Sequence, residues 1–205
     1  MCGFFVSCLA ITPMSPKKHN KIRQFLLITN GLIFLAEAML GPIYALFIAD
    51  VGGSILNAGI AGGVFTVVAG TLTLIVGKAS DWSGSRRMFV GVGYAVIGLG
   101  FALYTQVDSF AELLMVEAVI GAGQAIYAPP FSALYSQHLD FRHPARQWGV
   151  WEAMTYYTTA VGSVAGAFIA SEYGFDVLFV LMSCLAFVSA ATVLWKPKRA
   201  NVLMA

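Results

Sequence analysis

Six apolar runs dominate the chain, each separated from the next by a short polar stretch. They fall at about residues 24–48, 57–77, 88–106, 110–135, 147–170 and 175–195. Each is long enough to carry a helix across a hydrocarbon core of about 30 Å, which takes roughly 20 residues. The strict alternation of apolar and polar positions that a barrel strand needs is absent. A bilayer offers no partner to backbone N–H and C=O groups, so a spanning segment must satisfy them internally, as a helix does. The pattern therefore predicts an all-α membrane protein with six transmembrane helices.

Composition agrees. Hydrophobic residues make up 59% of the chain and charged residues only 11%, with a mean hydropathy of +0.78. A soluble domain of 205 residues has too little interior to bury so much apolar surface. The net charge of +2 is too small to imply a nucleic-acid partner, so what matters is where the charges fall. Lys17, Lys18, Lys21 and Arg23 precede the first run, and Lys78, Arg86 and Arg87 flank the turn between the second and third. Arg142 and Arg146 lie between the fourth and fifth, and Lys196, Lys198 and Arg199 follow the sixth. The intervening loops (49–56, 107–109, 171–174) contain no Lys or Arg, so the positive-inside rule predicts that both termini are cytoplasmic. Trp82, Trp148 and Trp195 fall near the same interface, as aromatic anchors do.

The expected organisation is a cytoplasmic tail (1–22), a six-helix bundle (23–199) and a C-terminal tail (200–205). Residues 1–13 are apolar but too short to span, and no basic segment precedes them, which argues against a signal peptide. Met14 opens MSPKKHNKIRQF, which reads as a natural start, so residues 1–13 are either a mis-called extension or an ordinary tail. Cys2, Cys8 and Cys184 form no framework, and no disulfide is expected.

The stretch VGKASDWSGSRRM (76–88) concentrates charge and glycine between two apolar runs. On its own terms it is a tight turn: Gly84 and Ser85 let the chain reverse, Arg86 and Arg87 sit at the lipid headgroups, and Asp81 pairs with them or caps a helix. The spacing of Gly77, Lys78, Ser80, Asp81, Gly84, Arg86 and Arg87 also resembles the signature between the second and third helices of the major facilitator superfamily. The departures are Ala79, Trp82, Ser83 and Ser85. Further along, Ile120-Gly121-Ala122-Gly123 with Pro129-Pro130 is similar to the family's fourth helix, and Tyr173–Phe179 to the opening of its sixth. Where that family often carries a fourth-helix Arg linked to proton coupling, this chain has Glu117. The fifth-helix antiporter motif is incomplete, with Gly162 and Gly166 but no following Pro. The resemblance, over about residues 20–199, implies a secondary transporter of which six helices make one half, with two three-helix inverted repeats in that half. Gly77, Lys78, Asp81, Gly84, Arg86 and Arg87 would then form its cytoplasmic gating motif.

A faint internal echo fits such repeats: Glu37-Ala38-Met39-Leu40-Gly41 in helix 1 and Glu117-Ala118-Val119-Ile120-Gly121 in helix 4. A carboxylate at membrane depth is costly, and no Lys, Arg or His lies in any run to pair with it. A carboxyl that loads and releases a proton as water access alternates is what proton-coupled transport requires, so Glu37 and Glu117 are the leading functional candidates, with Glu152 of helix 5 behind them. The competing reading is a neutral carboxyl that only hydrogen-bonds a neighbouring helix. Gly41-Pro42 removes a helix hydrogen bond and can kink helix 1 toward a cavity, and Pro129-Pro130 can do the same in helix 4. Gly162, Gly166 and Ala170 form a ridge suited to close helix contact. Tyr127 and Tyr156 offer hydroxyls to a substrate pathway, or serve packing.

Three classes of function stay open. One is a half-size transporter of a small solute, surrounded by membrane lipid and enclosing a path as a homodimer or with a partner half; another is a non-transporting assembly partner or truncated remnant. The third, an intramembrane enzyme, is the least supported: His19, His138 and His143 lie outside the runs, and neither a D-x-x-D nor an H-E-x-x-H arrangement provides for a metal. No cofactor is expected. In the transporter reading, Asp81 of one chain approaches the start of helix 5, near Gln147-Trp148-Gly149, in a second chain.

Overall fold

A computed structural model describes residues 16–140 and 142–195. The expectations for residues 1–13, for Cys2 and Cys8, for Lys196, Lys198 and Arg199, and for the C-terminal tail lie outside the described residues. Among those described, regular structure is entirely helical. Helix α1 (Pro16–Leu40) passes through a single 3-10 turn (Gly41–Ile43) into α2 (Tyr44–Asp50). It is followed by α3 (Ile55–Ser83), α4 (Arg86–Leu103) with a 3-10 turn at its end (Tyr104–Gln106), α5 (Phe110–Gln137), α6 (Pro144–Tyr173) and α7 (Phe175–Trp195). Every predicted run is thus helical, most ends within three residues, while the first helix starts well before its run, at Pro16, and α3 continues past residue 77 to Ser83.

The boundaries follow from local chemistry. Ser54 and Asn57 form a reciprocal capping box that starts α3, and Ser109 and Glu112 form another at α5. Glu112 there accepts from the amides of Asp108 (2.9 Å) and Ser109 (3.0 Å). The α3–α4 reversal needs Gly84, whose φ of 63° lies in the left-handed region.

Five helical stretches are long and apolar enough to cross a membrane: His19–Asp50, Ile55–Ser83, Arg86–Gln106, Phe110–Gln137 and Phe175–Trp195. The sixth, α6, has the length, with 30 residues, but falls short in apolarity. Glu152, Tyr156, Tyr157, Thr155, Thr158, Thr159 and Ser163 dilute it, so of the six expected membrane-spanning runs five have both the length and the apolarity.

Packing is regular. α1 lies on α6 and α7, α5 lies on α3 and α4, and α4 lies on α7. Exchanging the set (α1/α2, α3, α4) with the set (α5, α6, α7) leaves this scheme unchanged. Several of the contacts are made by glycine against backbone, the one of α6 on α1 by residues of the predicted small-residue ridge. A methyl group at Gly166 would stand 2.0 Å from the carbonyl oxygen of Met39 in α1, and one at Gly121 would stand 2.6 Å from that of Phe65 in α3. Tyr94, Ile97, Leu113, Leu134, Phe179 and Met182 are fully buried between the layers. The helices are covered very unevenly: 50% of the apolar stretch of α4 is buried against 6% of that of α3.

Candidate functional site

Pro42 has no N–H to give, so the carbonyl of Ala38 loses its helical partner and the first span breaks into the Gly41–Ile43 turn. The expected kink is therefore a change of helix type. Beside the break is a cavity of about 320 Å³, walled by α1 to α5 and α7 and lined by Glu37, Tyr44, Phe101, Tyr104, Glu117 and Met182 among others. Glu117 is 5% exposed. Its Oε1 accepts hydrogen bonds from two hydroxyls, that of Tyr44, just past the break, and that of Tyr104 (2.6 Å), at the end of α4. Glu37 lies on the same cavity. It also lines a second one, of about 410 Å³, shared by α1 and α6 with Phe34, Ala38, Pro42, Thr159 and Ser163. Among the described residues Glu37 makes no hydrogen bond, and no Lys, Arg or His lines either cavity. The two carboxyls singled out in the sequence thus share one space, one of them fixed by two phenols and the other not.

The remaining candidates divide. Gly41 lines both cavities and Pro42 the second. Glu152 is exposed on α6, as is Tyr156 (70%); with Thr159 and Ser163 they recur at helical spacing and make a polar stripe that ends at the second cavity. Tyr127 lies in the core, 2% exposed, its ring 4.9 Å from that of Tyr94, and lines neither cavity. Pro129 and Pro130 leave α5 one continuous helix. Sequence reasoning missed Tyr44 and Tyr104, because no spacing rule connects residue 44 or 104 to residue 117. It also missed Asn30, 1% exposed, which accepts from Trp151 Nε1 (3.2 Å) and donates to Tyr94 Oη (3.2 Å), joining α6, α1 and α4.

At the motif turn, Gly77 and Lys78 occupy the last turns of α3, and Asp81 pairs with Arg86 at 2.8 Å with its side chain 70% exposed. The sequence placed both arginines at the headgroups. Arg87 is instead 8% exposed and turned inward, where Nε donates to the carbonyl of Val193 (2.6 Å) and Nη2 to that of Leu194 (3.2 Å). Val193 and Leu194 lie in the last described turn of α7, and a guanidinium, with five donors and a fixed positive charge, can serve two main-chain carbonyls at once. Trp82 and Trp195 stand out from the surface, 96% and 88% exposed. Trp148 departs from the anchor expectation: it is half-buried, packed 5.1 Å from Tyr135 and 5.8 Å from Trp151. Its neighbour Gln147, 7% exposed, is occupied by Arg23 and by Asp140, whose amide it accepts at 3.0 Å. Of Gln147, Trp148 and Gly149, only Gly149 is open.

A family model described as Major Facilitator Superfamily matches residues 26–203. The chain is 26% identical over 205 residues to multidrug resistance protein MdtG of Proteus mirabilis, covering 90% of this chain and 49% of that protein. It is 29% identical over 172 residues to multidrug resistance protein MdtH of Aeromonas hydrophila, covering 82% and 42%. To the multi-drug resistance efflux pump PmrA of Streptococcus pneumoniae it is 24% identical over 175 residues, covering 83% and 43%. The chain spans about half the length of the curated relatives it matches.

Proposed function

Because the chain belongs to the major facilitator superfamily, an integral multi-pass membrane family, we propose that it moves a small amphipathic solute across the cell membrane by alternating access coupled to protons. The carrying observation is the pair Glu37 and Glu117, which line one cavity with no cation beside them. An intramembrane carboxyl so placed is retained where protons or cationic groups are handled. The names of the relatives, multidrug resistance proteins and an efflux pump, together with the aromatic and apolar walls of the cavity, favour export of an amphipathic compound.

In this reading all six helical stretches span the bilayer and the basic ends face the cytoplasm. The polar stripe that lowers the apolarity of α6 then faces the solute path rather than lipid. The exchange symmetry of the helix pairing supports two inverted three-helix repeats. A second six-helix unit, either another copy of this chain or a partner half, closes the path. Two features support it. α3 carries Gly59, Gly63, Thr66, Gly70, Thr73 and Gly77 along one side, and no atom lies within 4 Å of a methyl built at any of these glycines. Asp81 and Gly149 are both open, as the proposed contact between chains requires.

Flux in proteoliposomes tests the mechanism, with an amphipathic dye as the solute and an imposed pH gradient as the drive. Glu37→Gln and Glu117→Gln should each abolish pH-driven flux while thermal unfolding stays that of the parent. Undiminished flux in both variants removes the carboxyls from the mechanism. The assembly has its own test, the double variant Asp81→Cys with Gly149→Cys in a chain freed of native cysteines. Cross-linked dimers on oxidation support the interface; cross-links only within one chain, or none, refute it.

A further inference from the structure

Two hydroxyls donate to the same oxygen of Glu117, and they come from parts of the chain with different freedom. Tyr104 ends α4, which packs on both α5 and α7. Tyr44 is the first residue of α2, a seven-residue segment beyond the Gly41–Ile43 break. One carboxyl oxygen therefore joins the far side of a hinge to two helices of the bundle body. We propose that Tyr44 and Tyr104 are positioning residues of Glu117, and that Tyr44 transmits the state of this carboxyl to α2 as a latch across the hinge. The proposal rests on the transport reading for its purpose, and on the geometry alone for its existence.

The physical step is an exchange of hydrogen bonds. An ionised carboxylate accepts both phenols in charge-assisted bonds, roughly twice as strong as neutral ones. When water in the cavity delivers a proton to Oε2, or a cationic group of a solute docks there, the charge on Oε1 falls and both bonds weaken. Tyr104 is the hub of the response because its ring also forms a wall of the Phe47 pocket. Phe47, in α2, lies 5.5 Å from Tyr104 and 4.8 Å from Phe179, with Tyr104 and Phe179 stacked at 4.9 Å. Loosening the two phenols thus loosens the aromatic anchor of α2 as well, and the Gly41–Ile43 turn, already outside α-helical bonding, supplies the pivot.

The titratable groups on this cavity are few. α1 contributes Glu37, α2 Tyr44, the end of α4 Tyr104 and α5 Glu117, while α3 and α7 contribute Gly62, Phe65 and Met182. Among the described residues no fixed cation lines the cavity, so the carboxyl's occupancy is the variable to which α2 responds.

Distances measured between spin labels test this in lipid nanodiscs, with labels on cysteines replacing Leu46 in α2 and Met115 in α5, both exposed (64% and 62%). The native cysteines are replaced and the labelled chain is diluted with unlabelled chain. The parent should give a narrow distribution at pH 8.5 and one at least twofold broader or displaced at pH 5.5. Tyr44→Phe, which keeps the ring, should give the pH 5.5 distribution at both pH values, as should Glu117→Gln; Tyr104→Phe should do the same. A parent that ignores pH, or a Tyr44→Phe chain that follows the parent at both pH values, overturns the latch. Proton-driven flux that survives both carboxyl substitutions removes the carboxyls from the coupling step instead, and leaves the distance result to stand or fall by itself.

Discussion

In the first three-helix unit the membrane carboxyl, Glu37, sits one turn before a break in its helix; in the second, Glu117 sits in a helix that stays whole through two consecutive prolines. The difference has a local origin. Gly41 precedes Pro42, and glycine costs a helix about 1 kcal/mol relative to alanine before proline removes its hydrogen bond. Ala128, a strong helix former, precedes Pro129, and α5 is held between α3 and α4, with Pro130 and Phe131 buried. The carboxyls differ accordingly. Among the described residues Glu37 has no hydrogen-bond partner and it touches two cavities, while Glu117 is held by Tyr44 and Tyr104. The junctions between the units diverge as well. Where α5 meets α4, Gly93 and Gly123 bring the two backbones together; a methyl at Gly93 would stand 2.8 Å from the carbonyl oxygen of Gly123. At the equivalent junction of α7 with α1, the Ser189 hydroxyl donates to the carbonyl of Thr29 at 2.6 Å. The pairing scheme is common to both units, and each contact has its own chemistry.

The comparison can be broken most severely at α6 on α1. With the Met39 carbonyl 2.0 Å from where a methyl would stand, Gly166→Leu forces two helix backbones apart. The expected loss is about 3 kcal/mol or more, read as a lowered midpoint of thermal unfolding in detergent. Gly70→Leu, on the open face of α3, is the control and should leave the midpoint of the single chain unmoved. Equal effects at both positions would mean that the close approach of α1 and α6 does not hold in the membrane protein.

Much of this architecture was legible in the sequence. Apolar runs separated by short polar stretches located the helices, because in a bilayer length and hydropathy leave little alternative. The glycine ridge on α6 announced its contact, and the spacing around Asp81 announced its turn. The echo between Glu37–Gly41 and Glu117–Gly121 brought two residues of one cavity to notice, although they are eighty positions apart. What stayed hidden depended on tertiary approach. Arg87 was assigned to the headgroups because a sequence shows charge without showing which main-chain carbonyls a guanidinium will meet. Trp148 was assigned to the interface because its packing against Tyr135 and Trp151 has no local signal. Tyr44 and Tyr104 were passed over for Tyr127 and Tyr156: a tyrosine's role in a bundle depends on which way its helix faces, and runs that are apolar all round carry no amphipathic pattern to tell one face from another.

The smallest expected effect separates the two junctions. Ser189 is fully buried, and its bond to Thr29 crosses from the last helix to the first. Hydrogen bonds between membrane helices average about 0.6 kcal/mol in measured cycles, since the separated helices also find partners. Ser189→Ala should therefore lower the unfolding free energy by about that amount. Gly93→Ala, at the α4–α5 junction, should lower it by about 2 kcal/mol, because an added methyl meets the backbone of the facing helix. Denaturant titration of both variants in one detergent gives the ratio directly. A larger effect at Ser189 would mean that the α1–α7 seam depends on its hydrogen bond rather than on packing. The first unit would then be held to the second by polar contact at that seam, and the two junctions would differ in what sets their strength as well as in which residues meet.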